Sequence, residues 1–152
     1  MRHLIPPDRD PMGAMLLDYT AGNRKAALKV HSPDLEIWEM TGRVMFRTHD
    51  QMSPVEQKAL ALCRGRILDV GAGSGCHSLW LGQHHDAVTA IDISPGCVAV
   101  MEQQGVANPL HANLFDLEGR YDTLLLLMNG LGICGDLDGL CDRLAISLDR
   151  RR

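Results

Sequence analysis

The stretch Ile67-Leu-Asp-Val-Gly-Ala-Gly-Ser-Gly75 decides the fold of this chain. An apolar strand runs into an acidic residue, then into a glycine-rich turn, and a helix is predicted to follow. Because glycine has no Cβ, such a turn brings backbone N–H groups close to a ligand. A second short apolar stretch, Val88-Thr-Ala-Ile-Asp92, also ends in a carboxylate. A glycine-rich turn after one strand and an acid at the tip of the next is how a doubly wound α/β domain holds a nucleoside.

The segments around this turn alternate between predicted strands and predicted helices. Ser53-Pro-Val-Glu56 is a capping box that starts a helix ahead of the first strand. The aliphatic run at 124–128 is typical of a strand buried on both faces. This order of elements predicts an α/β fold with a doubly wound, mostly parallel sheet and right-handed crossovers. The predicted strands are 66–70, 87–92, 109–112 and 121–128, and the helices between or after them lie near 75–84, 94–105 and 136–148.

The N-terminal third of the chain is predicted to cover the ligand-binding edge of that sheet. Residues 1–52 are expected to form a helical cap over the carboxyl ends of the strands, where ligands bind in such folds. Asp10-Pro11 is typical of a helix start. Ser32-Pro33 predicts a second short helix, whereas residues 42–50 fit either a loop or a helix. Residues 53–152 are predicted to form the α/β domain, in one compact unit with the cap.

Composition and charge exclude several classes of protein. The chain has 152 residues, 45% of them apolar and 22% charged, as expected of one globular domain. Its net charge of −4 gives no general attraction for nucleic acid or an anionic membrane. The five cysteines are scattered without a C-x-x-C pair, which argues against a disulfide framework and a metal site. Free thiols and an N-terminus without the apolar core of a signal peptide predict a cytoplasmic protein.

Three classes of cofactor compete for the glycine-rich turn. The spacing Gly71-x-Gly73-x-Gly75 lacks the third glycine of the dinucleotide fingerprint, because Cys76 occupies that position. The Lys-Ser/Thr pair of a phosphate-binding loop is absent as well. The carboxylate of Asp69 would repel a phosphate but suits a cationic group of a ligand. An alternative role for the same carboxylate is to bond amides of the loop.

Residues 53–135 resemble the class I S-adenosylmethionine-dependent methyltransferases, which have a Rossmann-like fold. The stretch 67–75 is similar to the family's first motif, which wraps the methionine part of the cofactor. The stretch 90–94 is similar to the second motif, whose acid takes both ribose hydroxyls. Residues 112–114 lie where members often carry an acid beside the adenine, and the strand end at 121–129 resembles the motif that faces the reacting methyl group. The resemblance implies S-adenosyl-L-methionine as the cofactor, held by Asp69, Gly71, Gly73, Gly75, Asp92, Ile93, Asn113, Leu114 and Met128.

Several further residues receive weaker assignments. Asn113 departs from the family's usual acid, so an adenine contact there would use the amide oxygen, and a turn role is the alternative. His77 is predicted to face the solvent, and Trp38 to pack the cap onto the sheet. The remaining candidates are His111 and Asn129 as polar groups of the site, and Tyr19 and Arg47 as partners of the cofactor carboxylate. No catalytic base is identified from the sequence.

The predicted function is an S-adenosylmethionine-dependent methyltransferase acting on an unidentified acceptor, expected to be a small molecule. Two alternatives stay open. One is a nicotinamide-dependent oxidoreductase, which the missing third glycine disfavours, and the other is a non-catalytic cofactor-binding fragment or dimeric interaction module. The family's sheet generally has seven strands and four are predicted here, so we expect an incomplete sheet in a C-terminally truncated chain. The exposed edge of the fourth strand is expected to favour a homodimer.

Overall fold

The computed structural model describes residues 4–128, 130, 132 and 137–148 of the chain. The short 3-10 helices Pro7–Arg9 and His49–Gln51 accompany the main elements. The helices are α1 (Pro11–Thr20), α2 (Gly42–Met45), α3 (Pro54–Leu62), α4 (Cys76–Gly82), α5 (Pro95–Gln104) and α6 (Leu137–Ser147). The strands are β1 (Ala27–Ser32), β2 (Leu35–Thr41), β3 (Ile67–Val70), β4 (Val88–Asp92), β5 (Pro109–His111) and β6 (Thr123–Leu125). No helix in the described part of the chain is long and apolar enough to cross a membrane.

The centre of the molecule is a four-stranded sheet in the order β5-β4-β3-β6, with every neighbouring pair parallel. All four residues of β3 are buried, as expected of a central strand covered on both faces. Ile67 packs with Leu60 of α3 and Leu81 of α4, whereas Leu68 packs with Leu140 of α6. Because successive strand residues point to opposite faces, these contacts place helices on both sides of the sheet. The predicted doubly wound α/β fold is confirmed.

The strand β6 is shorter than the predicted strand 121–128. Its ladder with β3 ends where Leu125 pairs with Asp69, because β3 itself turns into the glycine loop two residues later. At the other end, Tyr121 forms a parallel bridge with Leu148, just after α6. The aliphatic run of the sequence therefore continues past the paired strand and ends beside the glycine loop.

The N-terminal cap is only partly helical, so the expectation of an all-helical cap and of a helix beginning at Ser32-Pro33 is wrong. The strands β1 and β2 form an antiparallel hairpin, in which Val30 pairs with Trp38 and Leu28 pairs with Met40. Alternating apolar and polar residues along β1 favour a strand, and Pro33 lies in the turn between the two strands. The hairpin forms one wall above the sheet.

The helix α1 joins the cap to the α/β domain. Its predicted N-cap, Asp10, is confirmed, since the carboxylate accepts the backbone N–H of Gly13 at 2.9 Å. The same carboxylate also accepts the Ser94 hydroxyl at 2.7 Å and the Gly96 backbone N–H at 2.9 Å. Asp10 therefore serves the first turns of α1 and α5 together, and holds the cap next to the tip of β4.

Candidate functional site

The loop between β3 and α4 turns sharply because three of its residues have left-handed backbone conformations. Gly71, Gly73 and Gly75 have φ angles of 69°, 60° and 81°. This region is costly for residues with a Cβ, so the glycines of the predicted motif are required by the turn itself. The backbone N–H groups of Gly71 and Ala72 both donate to the carbonyl of Ile91, at 2.9 and 3.1 Å. The loop is therefore held against the end of β4.

The carboxylate of Asp92 links the tip of β4 to this loop. One oxygen accepts the Gly73 N–H and the other accepts the Ser94 N–H, both at 2.9 Å. Burial raises the pKa of the Asp92 carboxyl, against the opposing effect of these two hydrogen bonds, and the nearby Asp10 raises it further. Since a carboxylate offers about four acceptor positions, each Asp92 oxygen retains capacity for another donor.

Asp69 lies deeper than the other predicted site residues. Its side chain is only 2% exposed, and its carboxylate accepts the Ser78 hydroxyl at 2.7 Å. Burial raises the pKa of the Asp69 carboxyl, whereas the Ser78 hydrogen bond opposes that rise. Asp69 lines a small recess of about 20 Å³ beside Gly71, together with His77 and Met128. From the sequence, Asp69 was expected either to contact a cationic ligand group or to bond amides of the loop. Its hydrogen bond to Ser78 of α4 is neither of these.

A cavity of about 640 Å³ lies between the carboxyl end of the sheet and the hairpin. Its volume is within the usual range for small-molecule and cofactor sites. The sheet side contains seven of the nine residues predicted to hold the cofactor: Gly71, Gly73, Asp92, Ile93, Asn113, Leu114 and Met128. Residues from the glycine loop, the tip of β4, the turn after β5 and the chain beyond β6 are thus brought to one cavity.

The two remaining predicted residues, Asp69 and Gly75, do not line this cavity. A Cβ at Gly75 would lie 2.6 Å from Val106 Cγ2 and 2.9 Å from Met101 Cγ. Gly75 therefore faces the packed interior and begins α4, so its absent side chain serves core packing. The sequence could not distinguish this position from Gly71 and Gly73, because the clashing atoms belong to a distant helix and the loop after it.

Two of the cavity residues have unusual local geometry. Asn113 forms a short turn in which its side-chain oxygen accepts the Phe115 N–H at 3.0 Å, so the turn role predicted as an alternative is present. Met128 has a φ of 53° although it carries a side chain, and it is 50% exposed. Residues in strained conformations are often found at functional sites. Its sulfur lies 3.3 Å from a guanidinium nitrogen of Arg47, which joins the end of β6 to the cap.

Comparisons with known proteins agree with this geometry. The family model for a methyltransferase domain matches residues 68–128. A structure of an S-adenosylmethionine-dependent methyltransferase from Bacteroides fragilis, in complex with S-adenosyl-L-homocysteine, is 41% identical in sequence, with a TM-score of 0.89. The alignment covers 96% of this chain and 63% of that chain. In sequence and fold, this chain is similar to S-adenosylmethionine-dependent methyltransferases, over a part of that relative's length. No protein with a curated description matches its sequence.

More distant methyltransferases share the fold. A magnesium protoporphyrin IX methyltransferase from Synechocystis, with bound S-adenosyl-L-homocysteine, has a TM-score of 0.54 at 22% identity, covering 70% of this chain and 61% of that one. A sugar N-methyltransferase from Streptoalloteichus has a TM-score of 0.51 at 19% identity, covering 81% of this chain and 55% of that one. At these identities the likeness concerns the fold alone.

The methyltransferase fold buries an ionic cluster that the sequence did not reveal. His77, predicted to face the solvent, is only 5% exposed, and its Nε2 lies 2.9 Å from a carboxylate oxygen of Glu56. Arg47 forms an ion pair with the same oxygen. That prediction for His77 was wrong because α4 packs against α3, and only the tertiary contact shows which of its faces is covered. The cluster joins the cap, α3 and α4 next to the recess lined by Asp69.

Burial raises the pKa of the Glu56 carboxyl, but hydrogen bonds from His77, Ser53 and Arg47 outweigh that effect and lower it to about 2. Glu56 also completes the predicted capping box, in which its carboxylate accepts the Ser53 N–H at 2.9 Å. The capping box was visible in the sequence because its partners are three residues apart. The ion pair was not, because Arg47 and His77 lie in other elements.

The other candidate residues of this chain have varied positions. Tyr19 stacks on Phe46 with ring centroids 4.9 Å apart and does not line the large cavity. His111 Nε2 lies 2.9 Å from the Ile93 carbonyl oxygen, at the edge of the site. Trp38, expected to pack the cap onto the sheet, instead lines the cavity from β2. Asn129 lies outside the described residues. Within the described ranges, no group of three or more His, Cys, Asp or Glu side chains is placed to hold a metal ion.

Proposed function

We propose that this protein is an S-adenosylmethionine-dependent methyltransferase that acts on a small-molecule acceptor. The observation that carries the proposal is the Asp92 carboxylate, which holds the glycine loop by one hydrogen bond and retains acceptor capacity at the cavity. The Bacteroides fragilis relative, which was crystallised in complex with S-adenosyl-L-homocysteine, supports the choice of cofactor. The sugar and porphyrin methyltransferases share this fold and act on small molecules, so the fold is compatible with a small-molecule acceptor.

The residues on the sheet side fit an adenosyl group. Asp92 is proposed to accept the two ribose hydroxyls, in charge-assisted hydrogen bonds that are stronger than neutral ones. Ile93 and Leu114 offer apolar faces for the adenine, and Asn113 lies beside them in the same cavity. Glycine at 71 and 73 leaves the backbone open to the methionine part, because neither residue carries a Cβ.

Asp69 is proposed to act from beneath the loop rather than in direct contact with the ribose. Its carboxylate lines the recess that ends at Met128. A negative charge there would stabilise a cationic methionine amino group or sulfonium in the neighbouring cavity. Gly75 is proposed to contribute indirectly, by allowing the loop to turn into α4.

When bound, S-adenosylmethionine supplies a methyl carbon that the acceptor's lone pair attacks while the C–S bond breaks, leaving S-adenosylhomocysteine, and the acceptor's proton passes to water. The task of the protein is then to bind both molecules and align them, and such positioning can contribute about 7–11 kcal/mol. The cavity between sheet and hairpin is large enough to hold a cofactor-sized ligand beside the residues named above.

Calorimetry and a transfer assay test this function. S-adenosylhomocysteine and S-adenosylmethionine are expected to bind, whereas NAD is not, because the third glycine of the dinucleotide fingerprint is replaced by Cys76. Transfer of a labelled methyl group to an acceptor would establish catalysis. Binding of NAD alone would overturn the proposal, and binding of S-adenosylhomocysteine without any methyl transfer would support the non-catalytic alternative.

We also infer that two chains associate through the outer edge of β6, and that the protein is cytoplasmic. Within the described residues, that edge is paired only where Tyr121 meets Leu148. Unpaired strand edges favour association with another chain. The described cysteines Cys63, Cys76, Cys97 and Cys141 are free thiols, as is typical of a reducing compartment. Light scattering that gives a strict monomer would contradict the dimer, and cell fractionation tests the location.

A further inference from the structure

The wall opposite the proposed cofactor residues is built by the hairpin. Val30 of β1 pairs with Trp38 of β2, and Leu28 pairs with Met40. Directly paired residues of antiparallel strands share one face, so these four side chains form a single apolar surface. Val30, Trp38 and Met40 line the cavity. The hairpin therefore presents an apolar face toward the carboxyl end of the sheet.

The hairpin wall continues into apolar side chains from the rest of the cap, two of them methionines. Met12 of α1, and Val44 and Met45 of α2, line the same cavity. Methionine adapts its shape to irregular partners and makes favourable contacts with aromatic rings. Trp38 is 48% exposed in spite of its size, which leaves much of its ring area uncovered by the described residues. An aromatic ring of this kind is well suited to stack on a flat ligand.

Charge around the cavity limits what it can accept. Among the described residues that line it, the charged ones are Asp92 and Glu39, and both are acidic. Lys29 pairs with Glu39 across the hairpin, but Lys29 does not line the cavity. Burying a carboxylate or phosphate without a partner of opposite charge is strongly unfavourable. An anionic acceptor would meet the Asp92 carboxylate and no described counter-charge. The Glu39 side chain alternates with Trp38 and Met40 along β2, so it lies with Lys29 on the other face of the hairpin.

We propose that the face formed by Val30, Trp38 and Met40 is the acceptor subsite, and that the acceptor is a flat, apolar molecule with an uncharged nucleophile. The acceptor carries no carboxylate or phosphate near the reacting atom. This inference rests on the proposed function, because it assigns the sheet side of the cavity to the adenosyl group and the hairpin side to the acceptor.

Calorimetry with three probes that share one ring system tests the charge preference on the unaltered protein. Naphthol, naphthoate and naphthyl phosphate are titrated into full-length protein saturated with S-adenosylhomocysteine. Naphthol is expected to bind at least about tenfold more tightly than either anion (about 1.4 kcal/mol). Equal or tighter binding of naphthoate or naphthyl phosphate would overturn the proposal, as would a failure of all three probes to bind.

Matched variants of adjacent residues test the position of the subsite. Trp38→Ala is expected to weaken naphthol binding at least about tenfold, whereas Trp38→Phe retains most of it. Ile37→Ala is the control, since Ile37 is 61% exposed on the same strand and does not line the cavity. Affinity for S-adenosylhomocysteine reports whether each variant is folded. Unchanged naphthol binding in folded Trp38→Ala would place the acceptor elsewhere.

The two proposals fail in distinguishable ways. If S-adenosylhomocysteine does not bind the unaltered protein, the proposed function is wrong and the assignment of the hairpin falls with it. If S-adenosylhomocysteine binds but the affinity of the probes depends neither on their charge nor on Trp38, the methyltransferase function stands and only the acceptor subsite is wrong.

Discussion

The carboxylate of Asp92 accepts the backbone N–H of Gly73 at 2.9 Å, although the two residues are 19 positions apart. This hydrogen bond holds the tip of β4 and the glycine loop as one unit. Asp92 therefore shapes the loop, in addition to the ligand contact proposed for it. The glycine-rich turn and the acid at the tip of the next strand, which are separate motifs in the sequence, are therefore joined by a hydrogen bond in the structure.

Replacing Asp92 by Ala removes both the proposed ribose contact and the bond that orders Gly73. We expect affinity for S-adenosylhomocysteine to fall at least about tenfold, or about 1.4 kcal/mol. Calorimetry measures the change, and Asp86→Ala is the control, because Asp86 is an exposed aspartate outside the cavity. Equal affinity in Asp92→Ala and the unaltered protein would remove Asp92 from the site.

Cofactor affinity is expected to fall on acidification because of the same carboxylate. Burial raises the pKa of Asp92 above its ordinary value of 3.8. The charged form accepts hydroxyl hydrogen bonds strongly and the protonated form does so weakly, so binding is lost as the pH falls through the raised pKa. Calorimetry from neutral pH downward through the acidic range measures this. Asp92→Asn should bind weakly with a flatter pH profile, and an unchanged profile would assign the effect to another group.

A pair of glycine substitutions separates backbone strain from packing. Gly75 and Gly105 have similar φ angles, 81° and 83°. A Cβ at Gly105 meets nothing within 4 Å, whereas at Gly75 it would lie 2.6 Å from Val106. Gly105→Ala is expected to cost about 1 kcal/mol of stability through the left-handed backbone, and Gly75→Ala about 1–3 kcal/mol more through overpacking. Urea unfolding measures the stability of both variants. Equal losses of stability would mean that the core around Gly75 accommodates the added methyl group without cost.

The buried Glu56 carboxylate is expected to make stability depend on pH at the acidic end. Its pKa is lowered from 4.5 to about 2 in the folded protein. A depressed carboxyl pKa stabilises the fold above pH 4.5, and that stabilisation is lost as the pH falls toward 2. Glu56→Gln is expected to lose about 3 kcal/mol at neutral pH, because Arg47 is left without its charged partner.

Urea unfolding of both proteins across the acidic range checks this expectation. Glu56→Gln should show a shallower fall in the free energy of unfolding below pH 4.5 than the unaltered protein. Parallel curves for the two proteins would show that Glu56 does not carry the pH dependence.

Asp10 connects two helices, so its removal should cost more than the loss of one helix cap. Its carboxylate accepts from Gly13 in α1 and from Ser94 and Gly96 at the start of α5. Asp10→Ala is expected to destabilise the protein by about 3 kcal/mol, above the range of about 0.5–2 kcal/mol for a single cap. Ser53→Ala, which removes the cap of α3 and the hydroxyl's hydrogen bond to Glu56 in the same turn but no bridge to another helix, is the comparison. Equal losses in urea unfolding would mean that the bridge to α5 adds nothing.

Predictions from the sequence succeeded where the interacting residues are close in the chain. The caps at Asp10 and Ser53 were recognisable because each accepts a backbone N–H three residues ahead. The strands β3 and β4 were recognisable as short apolar runs, each followed by a turn. The hairpin β1–β2 was missed because Ser32-Pro33 fits a helix start as well as a turn, and the pairing that decides between them involves the other strand.

The sequence alone determined the parallel sheet, the glycine loop and the carboxylate at the tip of β4. Each of these follows from short apolar runs, turn residues or helix caps, and such signals act over a few residues. Only the tertiary structure decided that His77 is buried against Glu56, that Gly75 serves the core, and that Trp38 faces the cavity. Each of these depends on a neighbour from a distant part of the chain. Which face of an element is covered is set by that packing, and local sequence preferences do not specify it.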